Sequence, residues 1–344
     1  MQDGEGLLYL SRADVIRAAA DVDAVKVVKN TLIYHSHGQT TLPPEAYLGW
    51  QTSEGLAARS LALPGAVWTS KPSLGMKIIN SSLANPSQGR QRAQGLLVQF
   101  DRETAYPTAV MEGAYLSALR TSAYTILSIE LLGSGTTDNI AILGCGVIGK
   151  AHLRLLAHRY NAARFVIYDK ITDRQAAVVA AALSDGLHCV QAQSAEQAVK
   201  GADVVVTATT TTTGYLPHVW LAPGALVAHV SLDDVMPDVV ERSDLVVVDD
   251  WTLVSSDDRR LLGRMYHAGK LVGPSGESLG TAPTSAPRVS ATLSDVLAGL
   301  HPGRRAAEDV ILSNPFGMGI LDVALGAAVL ESAQRLGIGV RLPV

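Results

Sequence analysis

Hydrophobic and polar positions divide this chain into two parts with different rhythms. From Asn139 onward, short apolar runs alternate with amphipathic stretches: 140–143, 165–168, 203–207, 226–231 and 245–248 read as strands, with helices between them. Runs that are apolar at successive positions suit strands covered on both faces, and their alternation with helices predicts a parallel, doubly wound sheet. Before that point the pattern changes. Leu7–Leu10 is predicted as an edge strand, and Ser11 with Asp14 as a capping box opening a helix that runs to about Lys29. Segments 65–82 and 95–101 read as strands joined by the polar loop LANPSQGRQRAQ. A hairpin connection at 101–106 leads to a strand at 108–111, and a long helix follows over about 113–132. Residues 273–307, rich in Gly, Ser, Pro and Thr, are expected to form a surface excursion with one short helix near 293–300. The last amphipathic stretch, SNPFGMGILDVALGAAVLESAQRLG, is predicted as a helix that packs back on the first part.

One junction in this pattern carries specific chemistry. The strand at 140–143 runs straight into GCGVIG, an amphipathic stretch follows, and the next strand ends in Asp169. Gly144 permits a tight turn, Gly146 lets backbone approach a pyrophosphate, and Gly149 lets helix pack close on strand. Gly146, Val147 and Ile148 then open a helix whose unpaired N–H groups and partial positive charge suit phosphate. Asp169 is placed to accept hydrogen bonds from ribose hydroxyls, and a carboxylate there repels a 2′-phosphate, so NAD is expected over NADP; Lys170 beside it works the other way. The hydroxyl-rich TATTTTT at the end of 203–207, with Thr207 and Thr209, and Ser231 at the end of 226–231 fall at carboxyl ends of strands, where open α/β sheets bind ligands. The expected fold class is therefore α/β: a Rossmann domain over 121–314 and a discontinuous α+β domain from 1–120 and 315–344.

Composition narrows the function classes. With 344 residues, 47% apolar and 17% charged, the chain has the make-up of a globular enzyme of about two domains. A formal charge of -4 and the lack of a basic run argue against nucleic acid or an anionic membrane as partner. No apolar stretch reaches membrane-spanning length and the N-terminus lacks a basic leader region, so cytoplasm is the expected location. Cys145 and Cys189 are the only cysteines; they form neither a disulfide framework nor a metal motif, and no metal is expected.

The stretches GMKIINSSLANPSQG, YPTAVMEGAYLSALRTSA, ILGCGVIGKAHL, HVSLDDV and NPFGMGILDVALG together resemble the ornithine cyclodeaminase/μ-crystallin family over nearly the whole chain. YLGW, RSLALP, QRAQG, VVVDDW and NPFGMGILD resemble, within it, the N-(2-amino-2-carboxyethyl)-L-glutamate dehydrogenase branch of 2,3-diaminopropionate biosynthesis. The resemblance implies that Lys77 and Arg120 hold a substrate carboxylate and that Asp234 is the general acid/base, with Lys77 also a candidate for proton transfer. It also implies a homodimer built through the first domain, an amino-acid conjugate as substrate, a cysteine-synthase-like partner enzyme that makes it, and a pathway to a siderophore or peptide natural product.

The residues themselves leave alternatives beside these roles. A lysine in the apolar run MKII must be paired if buried, so an internal ion pair or an exposed strand face competes with substrate binding. Arg120, on the apolar helix LSALRTSAYTIL, suits bidentate carboxylate binding or a buried pair with an acid. Asp233 and Asp234 also read as turn or cap residues, and Asp233 is the neighbour a one-residue slip would select. Departures from the cyclodeaminases are informative. TLPPEAYLGW lacks their arginine, for which Arg59 is the replacement; Arg92 stands where they carry a small hydroxyl residue; and VMPDVV after Asp234 lacks their lysine. Added arginines disfavour the cationic tail of ornithine and suit a conjugate with three carboxylates, although Arg92 also reads as a solvated loop arginine. The expected activity is NAD-dependent oxidative hydrolysis of that conjugate. Ornithine or lysine cyclodeamination, another amino-acid dehydrogenation, and a non-catalytic NAD(P)-dependent ligand-binding role are the alternatives.

Overall fold

A computed structural model describes residues 6–280 and 283–343. The chain starts with β1 (Leu7–Leu10), α1 (Arg12–Ala19) and α2 (Ala24–Ser36). The single helix expected to Lys29 is thus two. Ser11 and Asp14 form the capping box as expected, but the chain leaves α1 before Asp23, whose side chain accepts the Lys26 N–H and caps α2. Next come β2 (Thr40–Thr41), β3 (Ala46–Gln51), β4 (Ala57–Val67), β5 (Ser73–Ser82), β6 (Ala93–Phe100), β7 (Pro107–Glu112) and α3 (Gly113–Leu132). The expected strand at 65–82 is the end of β4, a turn and all of β5, which pair antiparallel with Leu63 opposite Lys77.

The second part runs through β8 (Asn139–Leu143), α4 (Val147–Arg159), β9 (Arg164–Tyr168), α5 (Thr172–Ser184), β10 (Cys189–Gln191), α6 (Ala195–Val199), β11 (Val204–Thr207) and β12 (Leu226–His229). It continues with α7 (Pro237–Arg242), β13 (Leu245–Val248), α8 (Trp251–Ser256), α9 (Leu261–His267), β14 (Ala291–Thr292), α10 (Leu293–Leu297) and β15 (Ile311–Ser313). Then α11 (Gly319–Leu336) and β16 (Val340–Leu342) complete the chain.

The chain divides into two compact units, Met1–Ala123 with Gly317–Val344, and Tyr124–Phe316. In the first, a mostly antiparallel sheet has the order β16-β1-β7-β6-β5-β4-β2, with β3 also on β4. β1 is not an edge strand, because β16 pairs with it from outside. α11 packs on β4, β5 and β6 and against α1 and α2, and Gln99 donates to the Val323 carbonyl at 2.9 Å. The residues of β4 to β6 facing α11 include Leu61, Leu63, Lys77 and Leu97, all buried. The opposite face carries Leu48, Trp50 and Leu96, which are exposed, and Met76, Ile78 and Val98, which are partly exposed.

In the second unit all strand pairs are parallel, in the order β10-β9-β8-β11-β12-β15-β13-β14. The fully buried runs of β11, β12 and β13 follow from coverage on both faces. β15 sits between β12 and β13; three residues are too few to show a period, so its place comes from the sheet. The short helix expected near 293–300 is α10, opened by a capping box of Thr292 and Asp295.

Candidate active site

The glycine turn lies at the carboxyl end of β8, beside the point where strand order reverses between β8 and β11. At Gly149 a Cβ would collide with the carbonyl of Gly144, so helix and strand meet this closely only through glycine. Gly146 is different: a Cβ there would meet nothing within 4 Å. It precedes α4 without any side-chain cap, while Val147 is exposed, so the first N–H groups of a thirteen-residue helix face open space. That is the cradle a pyrophosphate requires, and the residues present fit a dinucleotide.

Asp169 stands at the carboxyl end of β9 and is buried. One oxygen accepts the Cys145 N–H at 2.7 Å and the other accepts the Ile171 N–H at 2.8 Å, with Arg174 3.8 Å from the first. The acid therefore braces the turn itself, and its remaining lone pairs are what a ribose would use. Burial, with the Asp169 charge adding to it, pushes the Cys145 thiol up to about 12, so that cysteine is an inert packing residue. Thr207 is buried, and its hydroxyl lies 2.7 Å from that of Ser231, joining the ends of β11 and β12. Thr209 accepts the Thr211 N–H at 3.2 Å and holds the start of the threonine loop.

Asp234 follows β12 and is fully buried. Its Oδ1 accepts the Tyr215 hydroxyl at 2.9 Å, whereas its Oδ2 is buried with no hydrogen-bond partner among the described residues. Burial raises its pKa; hydroxyls of Ser231, Thr209 and Tyr215 oppose that, and Asp233 adds to it. The adjacent Asp233 is committed elsewhere, accepting from the guanidinium of Arg264. The two acids have different environments: one is ion-paired, the other holds a free buried oxygen.

In the first unit, Lys77 is 2% exposed and Arg120 is 7% exposed, so neither lies on a solvated face. Both meet an acid absent from the expected site, Asp322 of α11: Lys77 Nζ donates to its Oδ2 at 2.6 Å and Arg120 Nε to its Oδ1 at 3.1 Å. Lys77 also donates to Ser117 Oγ at 3.2 Å. Burial, with Arg120 adding to it, brings the Lys77 ammonium down to about 8 against the pull of Asp322. The two cations hold Asp322 below the usual carboxylate range despite its burial. The signal for Asp322 was present in the sequence, since an acid among the small apolar residues GILDVALG needs a partner as much as Lys77 does.

Arg59 shares the α11 side of the sheet with Lys77 and lies opposite Ser81, four residues further along β5. Arg92 enters β6 next to it and is only partly exposed; its Nε is buried with no partner among the described residues. Burial lowers its pKa and the charge of Arg59 lowers it further. A solvated loop arginine does not describe Arg92. Tyr215, like Asp322, was missed; it lies in an aperiodic loop where pattern has nothing to say.

Against known proteins, residues 8–336 match the ornithine cyclodeaminase/mu-crystallin family. The chain belongs to this family. A relative of 29% identity over 343 residues, covering 98% of each chain, is the N-((2S)-2-amino-2-carboxyethyl)-L-glutamate dehydrogenase of Staphylococcus aureus. The crystal structure of CmnK superposes with a TM-score of 0.89 at 39% identity, covering 99% of both chains. The Thermococcus litoralis Delta(1)-pyrroline-2-carboxylate reductase in complex with NADH and L-proline has a TM-score of 0.84, covering 98% of this chain and 100% of its own, and at 20% identity it speaks to the fold. Other relatives of this chain are named alanine dehydrogenase and Delta(1)-pyrroline-2-carboxylate reductase. No helix among the described residues is long and apolar enough to cross a membrane, and none of them form a metal-holding group of His, Cys, Asp and Glu.

Proposed function

We propose that this protein is an NAD-dependent dehydrogenase that oxidatively hydrolyses N-(2-amino-2-carboxyethyl)-L-glutamate to 2,3-diaminopropionate and 2-oxoglutarate. The observation that carries the substrate class is the Arg59–Arg92 pair, two neighbouring cations with a buried, unpartnered guanidinium nitrogen, in addition to Lys77 and Arg120. Such a pair is costly unless an anion enters, and a tricarboxylate supplies carboxylates for both cation sets. The similarity to the Staphylococcus aureus enzyme supports the same substrate.

Gly144, Gly146, Val147, Ile148, Gly149, Asp169, Thr207, Thr209 and Ser231 would hold NAD, which when bound supplies the acceptor for the substrate's hydride. Lys77 and Arg120 orient the glutamate carboxylate, and Arg59 and Arg92 take the others. Asp234, with Oδ2 open, accepts a proton from the water that adds to the substrate C=N carbon and returns one to the departing amine nitrogen. The pathway reading places a cysteine-synthase-like enzyme upstream and a siderophore or peptide natural product downstream, with the protein in the cytoplasm. Leu48, Trp50 and Leu96 on the bare sheet face support a homodimer formed through the first unit.

The test is incubation with NAD⁺ and, separately, the conjugate, ornithine, lysine or alanine, with NADH followed by absorbance and products identified by mass. Diaminopropionate and 2-oxoglutarate in step with NADH are expected for the conjugate alone. Ornithine turnover without NADH accumulation would replace this reading with cyclodeamination. Arg92→Ala is expected to raise KM for the conjugate about tenfold or more while leaving KM for NAD⁺ within about threefold of wild type.

A further inference from the structure

Asp234 is bonded to Tyr215 through both backbone and side chain. The Tyr215 and Leu216 N–H groups each donate to the Asp234 carbonyl at 3.0 Å, and Met236 N–H donates to the Leu216 carbonyl at 2.9 Å. Leu216 and Val235 thereby form a parallel bridge, which fixes the Tyr215 backbone against that of Asp234. From this anchored position the Tyr215 hydroxyl reaches Asp234 Oδ1 at 2.9 Å.

Hydroxyls of Ser231 and Thr209 also favour the charged form of Asp234, so Tyr215 is one of three hydroxyls around it and the one whose hydrogen bond to Oδ1 is in place at 2.9 Å; the remaining groups act differently. Asp234 N–H donates to His229 Nε2 at 3.3 Å, which leaves the imidazole proton on Nδ1, away from the aspartate. Burial drives the His229 pKa down to about 3, so it stays neutral. Arg264 is committed to Asp233, itself a negative neighbour, and Thr207 already engages Ser231. The Tyr215 phenol has its pKa raised by burial and by the Asp234 charge, with Tyr168 and Asp169 contributing, so it remains a proton donor throughout the working range.

We propose that Tyr215 is a positioning residue for the reaction: by donating to Oδ1 it holds the Asp234 carboxylate in one orientation, keeps it ionised, and leaves Oδ2 as the oxygen that carries the proton. The buried, unpartnered Oδ2 is the counterpart of that bond. This inference rests on the reading of Asp234 as the acid/base.

Tyr215→Phe in the full-length enzyme removes only the hydroxyl. With any amine that the wild type oxidises, kcat is expected to fall about tenfold or more, with KM and NAD⁺ affinity within about threefold of wild type. The acidic limb of kcat/KM, which reports loss of the carboxylate base, should move to higher pH, because a carboxylate that loses a donor binds its proton more tightly. Asp234→Asn is the parallel arm. An acidic limb that vanishes in Asp234→Asn but stays in place in Tyr215→Phe would overturn the inference alone, while a limb that survives Asp234→Asn would overturn the assignment of Asp234 and the inference with it.

Discussion

Lys77, Arg120 and Asp322 form a buried cluster of two cations bonded to one acid, with Glu45 adding a further negative charge near Lys77. Two consequences follow from the position of Lys77 near 8. As pH rises through about 8 the amine becomes neutral and its hold on a carboxylate weakens, so kcat/KM should fall on that alkaline side; a profile flat to pH 10 would count against Lys77 as a carboxylate ligand. The linkage to stability has the opposite sign. Between about 8 and the ordinary lysine value of 10.5, the unfolded chain binds the proton that the folded one has lost, so the Lys77 contribution to stability rises with pH. Asp322 acts at the other end: its contribution is present above the ordinary value of 3.8 and is lost as pH falls through its lower folded value. Asp322→Asn removes the acid that both buried cations bond and should cost about 3–5 kcal/mol, measured by urea unfolding. A loss below 1 kcal/mol would mean the cluster relaxes into water.

At the level of elements, the start of α4 is where local sequence and long-range packing agree. Gly144 to Asp169 was legible because strand, turn, helix and acid follow one another without interruption. Gly149→Ala should abolish NAD⁺ binding by fluorescence titration and destabilise the second unit by about 1–3 kcal/mol, since the added methyl has only the Gly144 carbonyl to displace. Retained affinity would show that the turn can open. Elsewhere, boundaries were misread for identifiable reasons. Asp21 and Asp23 break one apolar periodicity into α1 and α2, and Lys71 and Pro72 turn a long apolar run into β4 and β5. β15 and β16 are three residues each, and only their neighbours in the sheets make them strands.

For the molecule as a whole, the antiparallel sheet of the first unit sets the remaining question. One face is covered by α11, while on the other Leu48 is 64% and Trp50 47% exposed. Sedimentation at micromolar concentration is expected to give a dimer, and Leu48→Glu with Trp50→Glu a folded monomer; a monomeric wild type would remove the dimer from the proposal. The nucleotide turn, the alternating parallel unit and the family resemblance could be read from the chain alone, because each depends on residues close in sequence whose spacing is itself the physical requirement. The partner of Lys77 and Arg120 could not: Asp322 lies 245 positions from Lys77 and arrives only when α11 packs on β5. The orientation of Asp234 is likewise tertiary. Its carboxylate is an ordinary one in the string SLDDV, and folding makes its two oxygens unequal by burying both and supplying the Tyr215 hydroxyl to one.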